Sequence, residues 1–168
     1  MNLPRPLRLY YIRAQRLRGS VDSLALGAAL GAAIACTPIM PLHTFATIAA
    51  AFLLRVNVVS ALLAGTLISN PLTVVPQYYL VWKIGNVFFS GQLSWERIKN
   101  ILHQIEEQGF LASADILRGA GWDSIQVMLT GGLILAVPVG LGTYFLSRWF
   151  FISIRKKKRE KRLLNNKK

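Results

Sequence analysis

Residues 55–76 set a cation, two side-chain amides and two prolines inside sequence apolar enough for a lipid bilayer. The stretch reads Arg55-Val56-Asn57, then an apolar run, then Ser69-Asn70-Pro71-Leu72-Thr73-Val74-Val75-Pro76. Pro71 lacks the amide proton that closes a helical turn, so it breaks or kinks any helix that enters it. Asn70 precedes a proline and is pushed out of the helical region. In lipid, backbone groups freed by such a break must be met by protein or by water. The stretch therefore predicts a break that is buried in protein or lines a wet cavity, with Asn70 and Thr73 supplying hydrogen bonds.

Charge placement narrows the class further. The 168 residues suit one domain. Only 16% of them are charged, against roughly 25% in an average soluble domain. The net charge is +13, and its positions decide what it means. Arg5, Arg8, Arg13, Arg16 and Arg18 crowd one end, nine Lys and Arg lie between Arg155 and Lys168, and the apolar middle is nearly free of them. Basic flanks around apolar spans follow the positive-inside rule, so the charge predicts topology rather than a nucleic-acid partner. Cys36 is a lone cysteine, which excludes an internal disulfide framework. The run Ala33-Ile34-Ala35-Cys36 faintly resembles a lipoprotein cleavage site, but more apolar sequence follows it, and the segment is kept as part of the folded chain.

Along the chain, residues 3–18 put Leu3, Leu7, Tyr10, Tyr11, Ala14 and Leu17 on one side of a helix and four arginines on the other. This predicts either a surface helix on anionic lipid or a basic tail that sets topology. Residues 21–54 form a first apolar unit, with Gly27 and Gly31 at the spacing that lets helix backbones approach closely. Val21 to Thr37 rises roughly 26 Å as a helix, at or just below one crossing. Pro38 and Pro41 interrupt, His43-Thr44 follows, and the piece ending at Leu54 rises only about 20 Å. Residues 56–90 echo this unit: Gly65-Thr66-Leu67-Ile68-Ser69 precedes Pro71 as Gly31-Ala32-Ala33-Ile34-Ala35 precedes Pro38, and Pro76 closes the second break. Paired, proline-interrupted apolar segments point to a transporter-like site. Leu72 to Ser90 is long enough to span, with Tyr78, Tyr79 and Trp82 as interface anchors and Lys83 placed to snorkel. In the polar interlude 91–122, Ser94 opens an amphipathic helix with Trp95, Ile98, Ile101, Leu102 and Ile105 on one side. Its few cations favour the outer face. Residues 124–147 are the clearest span, free of charge, with Pro138, Gly140 and Gly142 predicting a kink.

These features predict an all-α integral membrane protein: a hydrophobic helical bundle with proline-broken or re-entrant helices and amphipathic surface helices. Residues 1–150 form a single helical membrane domain and 151–168 a basic cytoplasmic tail. Both termini lie inside, so complete crossings are even in number. In one layout four helices cross, at 21–40, 42–68, 71–90 and 124–147, and Arg55 lies at mid-membrane. In the other, 21–54 is a re-entrant hairpin that returns to the cytoplasm at Arg55, 56–69 dips in and breaks at Asn70, 72–90 spans outward and 124–147 returns. The second is preferred because the half-segments are short and Arg55 gains a wet position.

The run from Leu26-Gly27 through Pro38, then Arg55-Val56-Asn57, then Ser69-Asn70-Pro71-Leu72-Thr73 and Gly85, resembles the bacterial "domain of unknown function 2062" family over roughly residues 5–148. Leu42 departs from a glycine common in that family just before the His43 position. The resemblance implies an integral membrane protein of the bacterial envelope, and with the topology read above the expected location is the inner membrane, crossed more than once with both termini cytoplasmic. Some members are joined to glycosyltransferase-like domains, which hints at lipid-linked sugar metabolism. It implies no activity.

No catalytic constellation stands out. His43 and His103 are far apart, no His or Cys cluster has metal spacing, and there is no phosphate loop or pair of carboxylates in the apolar region. No enzyme activity, metal or cofactor is expected. The expected ligand site is Arg55, Asn57, Asn70, Thr73 and His43, next to helix breaks at Pro38, Pro41, Pro71 and Pro76. Helix ends beside breaks suit anions, and arginine pairs well with phosphate. The first expectation is a carrier or scramblase for an anionic lipid or lipid-linked phosphate, working as a homo-oligomer. The alternative is a non-catalytic scaffold or accessory subunit of an envelope-biogenesis complex, docking on a membrane protein through its small-residue faces and the amphipathic 94–107 helix.

Overall fold

The computed structural model describes residues 17, 19–37, 42–89, 94–96, 98–100, 103 and 122–165. Every regular element among them is a helix: α1 (Val21–Ala35), α2 (His43–Leu53), α3 (Val58–Ile68), α4 (Pro71–Phe88) and α5 (Trp122–Asn165). The expected helix at 3–18, the breaks at Pro38 and Pro41 and most of the interlude 91–122 lie outside the described residues.

α1 starts where Ser20 caps it, its hydroxyl accepting from the Ser23 amide at 3.0 Å. It stops at Cys36, after 15 residues. α2 leaves that end and returns beside the start of α1, closing on Arg55. There the Arg55 amide bonds the Phe52 carbonyl (3.1 Å) and the Val56 amide reaches back to Ala51 (3.0 Å). This paired closure requires a left-handed residue at its centre, and Arg55 supplies it with a φ of 53°. Asn57 then starts α3, its side-chain oxygen accepting from the Ser60 amide at 2.8 Å.

α3 runs parallel to α1 and in direct backbone contact with it. The Asn57 amide donates to the Ser23 carbonyl (3.2 Å) and the Ser60 hydroxyl to the Leu24 carbonyl (2.7 Å). A Cβ on Gly27 would strike the Asn57 carbonyl, and one on Gly31 the Ala61 carbonyl. The glycine spacing predicted a close helix contact, and the partner is the chain's own second unit. Residues 42–68, one crossing in the four-span layout, are two helices that fold back on each other.

α4 leaves α3 at a bend of 86°. It lies antiparallel to α5, where Gly85 meets the Val127 carbonyl and Gly131 the Val81 carbonyl. Tyr78, Val81, Ile98, Val127 and Met128 are buried together there, with Trp82 and Trp95 against them. Trp95 and Ile98 thus pack inward and Glu96 and Lys99 face out, as the amphipathic pattern required. Further along, α5 passes α1 antiparallel, with Gly140 against Ala33. Among the described residues one helical stretch, Ser124–Lys157, is long and apolar enough to cross a membrane. α3 and α4 meet that test only as a bent pair, and α1 and α2 are apolar but too short to cross alone.

Pro76 departs from expectation. It is expected to close the break, yet it lies inside α4, which continues through it. At that position the missing amide leaves only the Leu72 carbonyl without its usual donor, and the first turn, nucleated by Asn70 and Pro71, is already formed.

Candidate functional site

Two polar clusters stand at opposite ends of α1 and α3. The first gathers at the starts of these parallel helices. The Arg55 side chain is exposed there, and it has no hydrogen-bond or ion-pair partner among the described residues. Asn57 is half-buried, tied to α1 through its backbone and to α3 through its cap. The far part of α5 comes down to the same place: Arg148 pairs with Asp22 at 3.0 Å, and the Arg155 guanidinium donates to the Gly19 carbonyl. Two helix N-termini side by side add their positive dipole ends, offset in part by the C-terminus of α2, which closes at Arg55. The Arg148–Asp22 pair is exposed on both sides and adds little stability.

The second cluster is the break between α3 and α4. Pro71 takes the first position of α4, where its missing amide is no loss. The Asn70 carbonyl accepts from the amides of Thr73 (2.8 Å) and Val74 (2.9 Å). The Thr73 hydroxyl accepts from the Asn70 amide at 3.1 Å. It also reaches the carbonyls of Ile68 (2.5 Å) and Asn70 (2.9 Å), sharing its proton between them. A single hydroxyl therefore ties the last turn of α3 to the first turn of α4. Asn70 and Thr73 supply the hydrogen bonds expected of them, largely through main chain and hydroxyl.

Gln77 belongs to this end and was not foreseen. Its Nε2 donates to the Ala35 carbonyl at 2.6 Å, satisfying the terminus of α1. The signal was present: Asn70, Thr73 and Gln77 follow a spacing of three and then four residues, one face of a helix. His43 starts α2 at the same end of α1, with its Nδ1 buried.

The five predicted site residues are thus not brought into one pocket. Arg55 and Asn57 share the basic end; Asn70, Thr73 and His43 lie at the break end. Asn57 and Asn70 are separated by the length of α3, about 20 Å along its axis. Among the described residues no group of three His, Cys, Asp or Glu is placed to hold a metal ion.

The profile of a family described as "Uncharacterized protein conserved in bacteria (DUF2062)" matches residues 4–160. No curated protein and no solved structure matches the chain.

Proposed function

We propose, for a chain that belongs to the bacterial DUF2062 family, that it is an inner-membrane carrier or scramblase which takes the phosphate of an anionic lipid, or of a lipid-linked sugar, at its basic end. One observation carries this reading. Arg55 is held in a left-handed backbone, where a residue with a side chain is disfavoured by roughly 1–2 kcal/mol, and its guanidinium is exposed beside the starts of two parallel helices. Glycine fits that backbone better, so an arginine there is explained by what its side chain binds. Guanidinium and helix N-termini both favour phosphate.

The membrane arrangement that goes with it has both termini cytoplasmic. α5 crosses, α3 and α4 cross as a bent pair, and α1 with α2 forms a re-entrant hairpin whose return point is Arg55. The short length of α1 and α2 and the meeting of Arg55, Arg148 and Arg155 at one end support it. The scaffold reading receives less support. The faces of Gly27 and Gly31 on which a partner would dock are taken by α3.

The experiment is movement of head-group-labelled anionic lipid in vesicles containing purified protein. Arg55→Gln is expected to reduce movement about tenfold or more, the worth of a charge-assisted pair, with membrane abundance unchanged. Arg55→Lys keeps the charge without the planar fork and should fall between. Normal movement with Arg55→Gln would remove the reading.

A further inference from the structure

Arg148 and Arg155 stand seven positions apart on α5, a spacing that puts them on one face of the helix. Phe151 lies between them on that face and is only 6% exposed, so the helix is seated there and carries the two arginines in a fixed relation. Both reach the start of α1. The Arg148 Nε donates to the Asp22 carboxylate at 3.0 Å, and the Arg155 guanidinium donates to the Gly19 carbonyl. Gly19 in turn lies beside the side-chain amide of Asn57, so these contacts belong to the same basic end as Arg55. Each arginine spends a single N–H group on its contact. The rest of each guanidinium has no partner among the described residues, and Arg148 is half exposed, open to a ligand. Two cations drawn to the stretch from Gly19 to Asp22, with a single carboxylate between them, leave a net positive charge that an anion offsets.

Depth distinguishes the two guanidinium groups. Arg148 follows directly on the charge-free run 124–147. Trp149 beside it is 72% exposed, in the way of an aromatic residue at a membrane boundary. In the membrane arrangement proposed above, Arg148 meets the level of lipid phosphate, and Arg155 starts about 10 Å further along α5, on the water side.

We propose that Arg148 and Arg155 form a binding site for a lipid whose head group carries two phosphates in line, the inner one on Arg148 and the outer one on Arg155. Guanidinium matches phosphate oxygens two at a time. A single phosphate fills one guanidinium and leaves the other unmet. Two phosphates joined through one oxygen follow each other away from the membrane, in the direction that the two arginines do. Two phosphates joined side by side through glycerol lie at one depth, that of Arg148. The inference deepens the lipid-carrier reading and rests on its membrane arrangement: it makes the anionic head a diphosphate and adds Arg148 and Arg155 to Arg55.

The test mixes the full-length protein in detergent with equal amounts of a polyprenyl diphosphate and the monophosphate of the same chain length. Retained lipid is counted by native mass spectrometry. Wild type is expected to hold about tenfold more diphosphate, the worth of one charge-assisted contact. Arg155→Gln should bring the ratio to about one by lowering diphosphate retention alone. Arg148→Gln should lower retention of both lipids, with the fold intact because its pair with Asp22 is exposed. Lys156→Gln removes the same charge from the neighbouring position, on another side of the helix, and should leave the ratio unchanged. Equal retention of the two lipids by wild type overturns the proposal. An equal effect of Arg155→Gln and Lys156→Gln also overturns it, since the preference would then follow net charge alone. Failure of the carrier reading appears separately, as normal lipid movement with Arg55→Gln while the diphosphate preference and its loss in Arg155→Gln persist.

Discussion

The Ser60 hydroxyl donates to the Leu24 carbonyl at 2.7 Å, in a contact closed to solvent. It joins the first turns of two parallel helices from the two halves of the chain, next to two glycine contacts, Gly27 on Asn57 and Gly31 on Ala61. The polar bond sets the register and the glycines set the distance. Ser60→Ala removes one hydrogen bond and should lower stability by about 1 kcal/mol. Gly31→Ala puts a methyl group into the Ala61 carbonyl, forcing the helices apart, and should lower it by about 1–3 kcal/mol. Thermal unfolding in detergent ranks the two. If Gly31→Ala is the milder, the backbones do not meet as described.

Arg55 separates stability from binding. Arg55→Gly relieves the left-handed strain at φ 53°, so the unfolding midpoint should stay or rise by the equivalent of up to about 1 kcal/mol. Lipid retention should fall at the same time. A fall in stability with retention intact would make Arg55 a structural residue and nothing more.

Thr73 is the fastener of the break. Thr73→Val leaves the Asn70 amide without its 3.1 Å partner and frees the Ile68 carbonyl. The expected loss is about 1–3 kcal/mol, with a wider distribution of the α3–α4 angle around 86°. Spin labels on exposed positions such as Leu67 and Leu80 read that angle as a distance distribution. Thr73→Ser keeps the hydroxyl and should restore the narrow distribution. An unchanged distribution in Thr73→Val would assign the bend to Pro71 alone.

Local chemistry was legible in the sequence, and pairing between elements was not. Pro71 after Asn70 forces a stop and a restart, and both are found. The glycine spacing at 27 and 31 forces a close helix neighbour, and one is found. Which helix fills that role is a matter of how the chain returns, and the return is set by Arg55 adopting a conformation that its side chain gives no reason to expect. Pro76 misled for the opposite reason. A proline reads as a breaker wherever it falls, but one placed a turn and a half past a capped start takes a single bond from a helix that is already nucleated. Gln77 was overlooked because an isolated amide shows its role only when the end of α1 lies beside it.

The direction of the chain across a membrane decides which side Leu54 and Lys99 meet water on. If α1 and α2 form a re-entrant hairpin, Leu54 and the first turn of α1 face the cytoplasm together, while Lys99, beside the buried Ile98, faces the outside. If 21–40 and 42–68 cross separately, position 54 lies at mid-membrane and is closed to aqueous reagents from either side. Single cysteines replacing Leu54 and Lys99, in a Cys36→Ser background, distinguish the two in intact cells with a membrane-impermeant thiol reagent. Lys99→Cys should react without permeabilisation. Leu54→Cys should react only after it, and then readily, since Leu54 is 63% exposed. Reaction of Leu54→Cys in intact cells would reverse the orientation. Silence of Leu54→Cys under both conditions would place it in lipid, and with it remove Arg55 from the aqueous face on which phosphate binding depends.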